Sequence, residues 1–268
     1  MVARTRGQAK RMGAPRAEAL CLNFGGALSY QSGDWAEAEQ DLQRAITLYR
    51  ELGSASGESL SQQRLGVLLT AMGRLDEAWE ILADGVAVAE RATMRSHCLT
   101  RMHASMARNR LAAKDIAAAM QCMEVGAAVA AGHGACVTCS ALLLPEAVRV
   151  AIAAGDLDQA EVHVRELEAL SDEYGSLAWV GMATQARGRL QVARGAPADA
   201  IEALRAAAEA YDKAAAPYEL ARTRQVWAHA LRELGKPTDA AALEAAAEGA
   251  MNRLGAAGIE GWVVLAEQ

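Results

Sequence analysis

Apolar and small residues return along this chain at three- and four-residue spacing, the period of an amphipathic helix. The runs are interrupted every 40 or 41 residues by one short signature. It is a small or basic turn, then an aromatic or aliphatic residue, then alanine three positions on. It reads Gly33-Asp34-Trp35 with Ala38, Gly73-Arg74-Leu75 with Ala78, Lys114-Asp115-Ile116 with Ala119, Gly155-Asp156-Leu157 with Ala160, Gly195-Ala196-Pro197 with Ala200, and Gly235-Lys236-Pro237 with Ala240. Each turn separates two helical runs. In the second unit Leu65, Gly66, Leu69 and Met72 precede it, and Ala78, Leu82 and Gly85 follow. A helix pair of about 40 residues cannot bury its own apolar face and must stack on its neighbours. The pattern therefore predicts an all-α solenoid of about six helix hairpins.

The position seven residues before the turn is small in five units, as Gly26, Gly66, Ala107, Gly188 and Ala228. It lies where the two helices of a hairpin approach closely. With the turn it makes a recurring set: Gly26, Gly33, Trp35, Ala38 and Ala45 in the first unit, Gly66, Gly73, Leu75 and Ala78 in the second. This set resembles the tetratricopeptide (TPR) repeat family, and the resemblance covers nearly the whole chain. It implies a right-handed α-solenoid of TPR-like hairpins that serves protein–protein interaction. The unit is six or seven residues longer than the common form of about 34, and the proline that usually ends the second helix is missing. Units of this length look like the sensor arms of large ATP-binding LuxR-type and SARP-type transcription activators, which implies a regulatory role.

The expected organisation is a single TPR-like superhelical domain over 1–268. Residues 1–13 form a partial helix or basic tail, repeats follow near 14–53, 54–93, 94–134, 135–174, 175–215 and 216–255, and 256–268 form a capping or truncated helix. Arg4 to Met12 fall where the second helix of a preceding unit would end. Gly261-Trp262-Val263-Val264-Leu265 fall where the first helix of a seventh would begin. These ends fit a segment of a longer protein or a capped array equally well.

Composition narrows the partners. Close to a quarter of the residues are alanine, which suits close helix packing. A net charge of −6 argues against a protein that coats nucleic acid. The most apolar stretch, about Val125 to Leu144, is broken by Gly132-His133-Gly134 and closed by Pro145, so no membrane span is expected. The N-terminus lacks the apolar core of a signal peptide. A cytoplasmic location follows as the expectation, with the five cysteines as thiols, metal ligands or redox sensors rather than a disulfide framework.

Four of those five cysteines and three of the five histidines lie between His97 and Cys139. Cys98 and Cys139 each stand 16 residues before their turn, in the third and fourth repeats. First helices of such an array lie side by side, about 8–10 Å apart, so the two sulfurs are expected to face each other. With Cys136 and His97 they make a Cys₃His set, His97, Cys98, Cys136 and Cys139, whose ligand types suit zinc. His133 or His103 can replace His97, because neighbouring helical residues point about 100° apart. Three readings stay open beside zinc: a Cys136/Cys139 dithiol switch, a cysteine as axial haem ligand, and plain buried thiols with no cofactor. Pro145 is expected to kink or delay its helix and so set Cys136 and Cys139 apart from the regular repeat.

The position six residues before each turn reads Ala27, Val67, Arg108, Arg149, Arg189 and His229. In TPR arrays it points into the groove, so Arg108, Arg149, Arg189 and His229 form a ladder there, joined on the same face by Arg101 and Arg222. Gln63, Gln185 and Gln225 recur at another groove position. Paired guanidinium donors suit carboxylate or phosphate, hence an acidic protein or peptide partner or a small anionic effector. The chain holds no phosphate-binding glycine loop, no His-Glu-x-x-His and no nucleophile elbow, so it is read as no enzyme. The expected function is a regulatory or sensory protein-interaction module of a transcription or signalling regulator, binding neither nucleic acid nor membrane directly. Its alternative is a passive TPR scaffold that holds an acidic peptide without metal.

Overall fold

The computed structural model describes residues 2–132 and 136–257. Thirteen α-helices and no strand occur among the described residues. After α1 (Val2–Arg11) the helices follow in pairs: α2 (Pro15–Ser32) and α3 (Trp35–Glu51), α4 (Ala55–Ala71) and α5 (Leu75–Ala89), α6 (Arg95–Ala112) and α7 (Ile116–Ala131), α8 (Val137–Ala153) and α9 (Leu157–Tyr174), α10 (Leu177–Ala193) and α11 (Pro197–Lys213), α12 (Pro217–Glu233) and α13 (Pro237–Leu254). The fold is the repeating all-α hairpin that the period predicts. Residues 258–268, with the Gly261-Trp262-Val263-Val264-Leu265 run, lie outside the described residues, as does His133.

The helices group into two compact units, Met1–Leu143 and Leu144–Gln268. The division falls within α8, beside Pro145. That proline does not end the helix: α8 continues from Val137 to Ala153 with Pro145 in its interior, forgoing one i to i−4 hydrogen bond. The late start expected from this proline is therefore corrected.

One piece of chemistry makes all six hairpin turns. The first helix of each pair closes with a Schellman bond from the residue after the turn position to the carbonyl five residues back. The pairs are Asp34 to Ser29, Arg74 to Leu69, Asp115 to Arg110, Asp156 to Ala151, Ala196 to Gln191 and Lys236 to Leu231, at 2.8–3.0 Å. This closure requires a left-handed residue at the turn, and glycine supplies it in five of the six cases. The exception is Lys114, held at φ 61°. The second helix then starts two residues on; the Asp115 and Asp156 carboxylates cap α7 and α9, and Pro197 and Pro237 begin α11 and α13 at the first position.

The alanine of the signature is the hinge of each hairpin. Ala38, Ala78, Ala119, Ala160, Ala200 and Ala240 are all fully buried. The small position seven before the turn receives a side chain from the second helix. A Cβ on Gly26, Gly66 or Gly188 would stand 2.5–2.6 Å from the Cγ of Leu42, Leu82 or Leu204. In the fourth repeat the equivalent pair is Val148 and Val164, both fully buried, so the volume is divided between the helices rather than assigned to one. Among the described residues no helix is long and apolar enough to cross a membrane.

Candidate functional site

The cysteine and histidine cluster lies in the first unit, where α8 begins beside α6. Cys136 stands just before α8, and its carbonyl accepts the first helical bonds, from the Cys139 and Ser140 amides at 2.9 and 3.0 Å. Cys136 and Cys139 are joined by a disulfide, while Cys21, Cys98 and Cys122 are free. The His97 Nδ1 on α6 lies 3.4 Å from the Cys136 sulfur and 3.2 Å from the Cys139 sulfur. The ligand atoms of His97, Cys136 and Cys139 all fall within 4.8 Å of one another. Burial, then the Arg101 and Arg64 guanidiniums, hold the His97 pKa below the ordinary imidazole value. At neutral pH the ring is uncharged, the form that coordinates a metal.

Cys98 does not join them. Its sulfur is fully buried and turned toward α4, 3.9 Å from the Ser56 carbonyl, among Ala89, Ala92 and Leu99. Desolvation raises its pKa. The reason lies in the repeat itself. Cys98 and Cys139 are equivalent positions, so each points to the first helix of the preceding repeat, Cys98 to α4 and Cys139 to α6. Two residues related by translation point the same way and cannot face each other. His97, one residue round the helix, faces α8 instead. His103 packs against Gly126 of α7 and is not part of the group, and burial lowers its pKa.

Arg101, one turn beyond His97 on α6, connects the cluster to the rest of the unit. Its Nη1 donates to the carbonyl of Thr138, between the two cysteines, at 2.9 Å. Its Nη2 approaches Gln63 Oε1 on α4 at 3.4 Å, and Gln63 Nε2 donates to Ser105 Oγ on α6 at 2.7 Å. Burial, then the like charge of Arg64, push the Arg101 pKa down to about 10. These bonds tie α4, α6 and α8, the first helices of three consecutive repeats. Thr138 has no signal in the sequence beyond lying inside Cys136-x-x-Cys139, because it acts through its backbone.

The basic ladder is divided between the units and is more buried than the spacing implies. In the first unit Arg108 is buried and donates to the Tyr30 hydroxyl of α2 at 3.3 Å. In the second, Arg149 pairs with Glu146, and Arg222, only 1% exposed, pairs with Glu219 at 3.2 Å and lies over the Tyr218 ring. Arg189 is buried near both. Desolvation, followed by the charges of Arg222 and Arg149, pushes its pKa to about 9. His229 approaches Glu233 at 3.2 Å. Gln185 Nε2 donates to Thr223 Oγ on α12 at 2.7 Å, an inter-repeat bond like that of Gln63, while Gln225 is partly exposed. Glu146, Glu219, Tyr30 and Tyr218, which sequence spacing did not single out, lie beside these arginines.

Residues 16–91, the α2–α5 hairpins, match the tetratricopeptide repeat family. No curated protein matches the sequence. Among solved structures the fold is similar to that of a Rap protein complexed with Competence and Sporulation Factor, with a TM-score of 0.70 and 11% identity over 88% of this chain. This chain spans 64% of the length of that one. It is also similar to BtubC (BKLC) from P. vanneervenii, with a TM-score of 0.53 and 15% identity, over 87% of this chain and 94% of the other. At such identities the likeness is one of fold: a TPR-like helical repeat.

Proposed function

We propose that this chain is a regulatory protein-interaction module of a transcription or signalling regulator. It binds an acidic protein or peptide segment along the face of its first helices and takes its input at the His97/Cys136/Cys139 centre. The observation that carries this reading is the polar chain from Thr138 through Arg101 to Gln63. A change at the two sulfurs moves the Thr138 carbonyl, and with it the guanidinium that joins three repeats. Each repeat contacts only its neighbours, so such a change alters packing along the array. The Rap protein solved with Competence and Sporulation Factor supports the use of this architecture to bind a regulatory factor.

In the dithiol form the three groups suit zinc. Tetrahedral zinc bonds of about 2.3 Å to sulfur and about 2.0 Å to nitrogen place a nitrogen and a sulfur ligand about 3.5 Å apart and two sulfurs about 3.8 Å apart, slightly beyond the 3.2 and 3.4 Å from His97 Nδ1 to the sulfurs. The sulfurs themselves separate on reduction to reach such a spacing. Three protein ligands leave a fourth position for water or a partner's donor.

Zinc content of the full chain, prepared under reducing conditions, tests the input. About one zinc per chain is expected, lost in His97→Ala and Cys136→Ser and retained in Cys98→Ser. Metal-free wild type would remove zinc from the reading. Fluorescence anisotropy of a labelled glutamate-rich peptide, with reduced zinc-loaded and with disulfide-bonded protein, tests the coupling. Equal Kd values in the two forms would exclude it.

A further inference from the structure

We infer that Cys136 and Cys139 form a thiol–disulfide exchange site in which Cys136 is the entering sulfur and Cys139 the resolving one. The reacting partners are low-molecular-weight disulfides of the glutathione type. The inference rests on the reading of this centre as an input, and it specifies the chemistry and the order of events.

Three observations carry it. The two sulfurs are within bonding reach and bonded, on a backbone where Cys136 begins α8 and Cys139 lies in its first turn. Their access is unequal. Cys136 is partly exposed beside the exposed Thr138 hydroxyl, whereas Cys139 is 4% exposed and covered by His97. An external disulfide therefore reaches Cys136 and not Cys139. Arg101 anchors the turn between them through the Thr138 carbonyl, so the pair stays in register when the sulfurs part. Cys98 and Cys122 are buried, which leaves them out of reach of an external disulfide and poor competitors for exchange.

The reaction balances without a further oxidant. The Cys136 thiolate attacks RSSR, forming a Cys136–SR bond and expelling RS⁻. The Cys139 thiolate then attacks the Cys136 sulfur, forming the Cys136–Cys139 bond and expelling a second RS⁻. The protons of the two protein thiols pass to the two departing thiolates. In sum, two cysteine thiols and RSSR give the protein disulfide and two RSH; a thiol in excess reverses the process. Because both sulfurs are consumed, the disulfide and a metal held by the same sulfurs exclude each other.

The full chain, reduced and freed of metal with a chelator, is exposed to oxidised glutathione, quenched with acid, alkylated and mapped by mass spectrometry. Wild type is expected to accumulate the Cys136–Cys139 disulfide. Cys139→Ser is expected to hold glutathione on Cys136, and Cys136→Ser to modify Cys139 about tenfold more slowly or less. Circular dichroism establishes that both variants fold. Equal rates at the two cysteines, a faster Cys139, or no intramolecular disulfide at any glutathione ratio would overturn the inference. Zinc content of the same reduced protein separates it from the metal reading. Exchange without zinc binding upholds the inference and removes the metal, whereas zinc binding without exchange does the reverse.

Discussion

Leu82 of α5 occupies the space that a side chain at Gly66 of α4 would need: an added Cβ would stand 2.5 Å from the Leu82 Cγ. Gly66→Ala is therefore expected to destabilise the chain by about 1–3 kcal/mol through overpacking. The fourth repeat shows the remedy, since valines at both equivalent positions, Val148 and Val164, are accommodated. Adding Leu82→Val to Gly66→Ala should recover part of the loss, with a coupling of at least about 0.5 kcal/mol in urea unfolding. Strict additivity would show that the two helices do not compete for this space.

Lys114 carries the left-handed backbone that glycine carries at the other five turns. That conformation costs a residue with a Cβ about 1–2 kcal/mol, from which the greater entropy of an unfolded glycine must be subtracted. Lys114→Gly is expected to raise stability by up to about 1 kcal/mol, read as a higher urea midpoint at unchanged slope. A lowered midpoint would mean that the lysine side chain contributes more than its backbone costs.

Glu161 on α9 binds Arg165, Arg187 and Arg194, at 2.8–2.9 Å. The hydrogen bond from Arg187 is the largest influence, and its pKa falls from 4.5 to about 2. A depressed folded-state value means that the stabilisation is fully present above the unfolded value and lost as pH falls from about 4.5 toward 2. Glu161→Gln should cost about 1 kcal/mol at pH 7 and almost nothing near pH 2, measured by denaturant unfolding at both. A cost that persists in acid would assign the effect to packing rather than charge.

Asn109 is fully buried on α6 and donates to Thr70 Oγ at 3.2 Å and to the Leu75 carbonyl at 3.0 Å. Asn109→Leu leaves both without their donor inside the junction of the second and third repeats. A loss of about 1–3 kcal/mol is expected, with faster amide exchange concentrated in α4–α6. Uniform exchange across the chain would argue against a local junction.

The sequence by itself determines the repeat. A left-handed turn position, a buried alanine five residues on and a small residue seven before are local demands of backbone and close packing, so they are written at fixed spacing and can be read without coordinates. The same ruler locates the cysteines and arginines and states which are equivalent. Equivalence by translation means equal direction, however, and only the tertiary structure turns that into contacts. Cys98 looks back to α4 as Cys139 looks back to α6, so the residue of α6 that meets Cys139 is His97, the neighbour of Cys98 on that helix, rather than Cys98, the counterpart of Cys139 in the pattern. Arg108 likewise meets a side chain of another repeat, the Tyr30 hydroxyl of α2, whereas Arg222 meets Glu219 and Tyr218 one turn back on its own helix. The Arg222–Glu219 pair is written in spacing along one helix, but the Arg108–Tyr30 contact follows from how the hairpins stack, and no spacing along one helix records it.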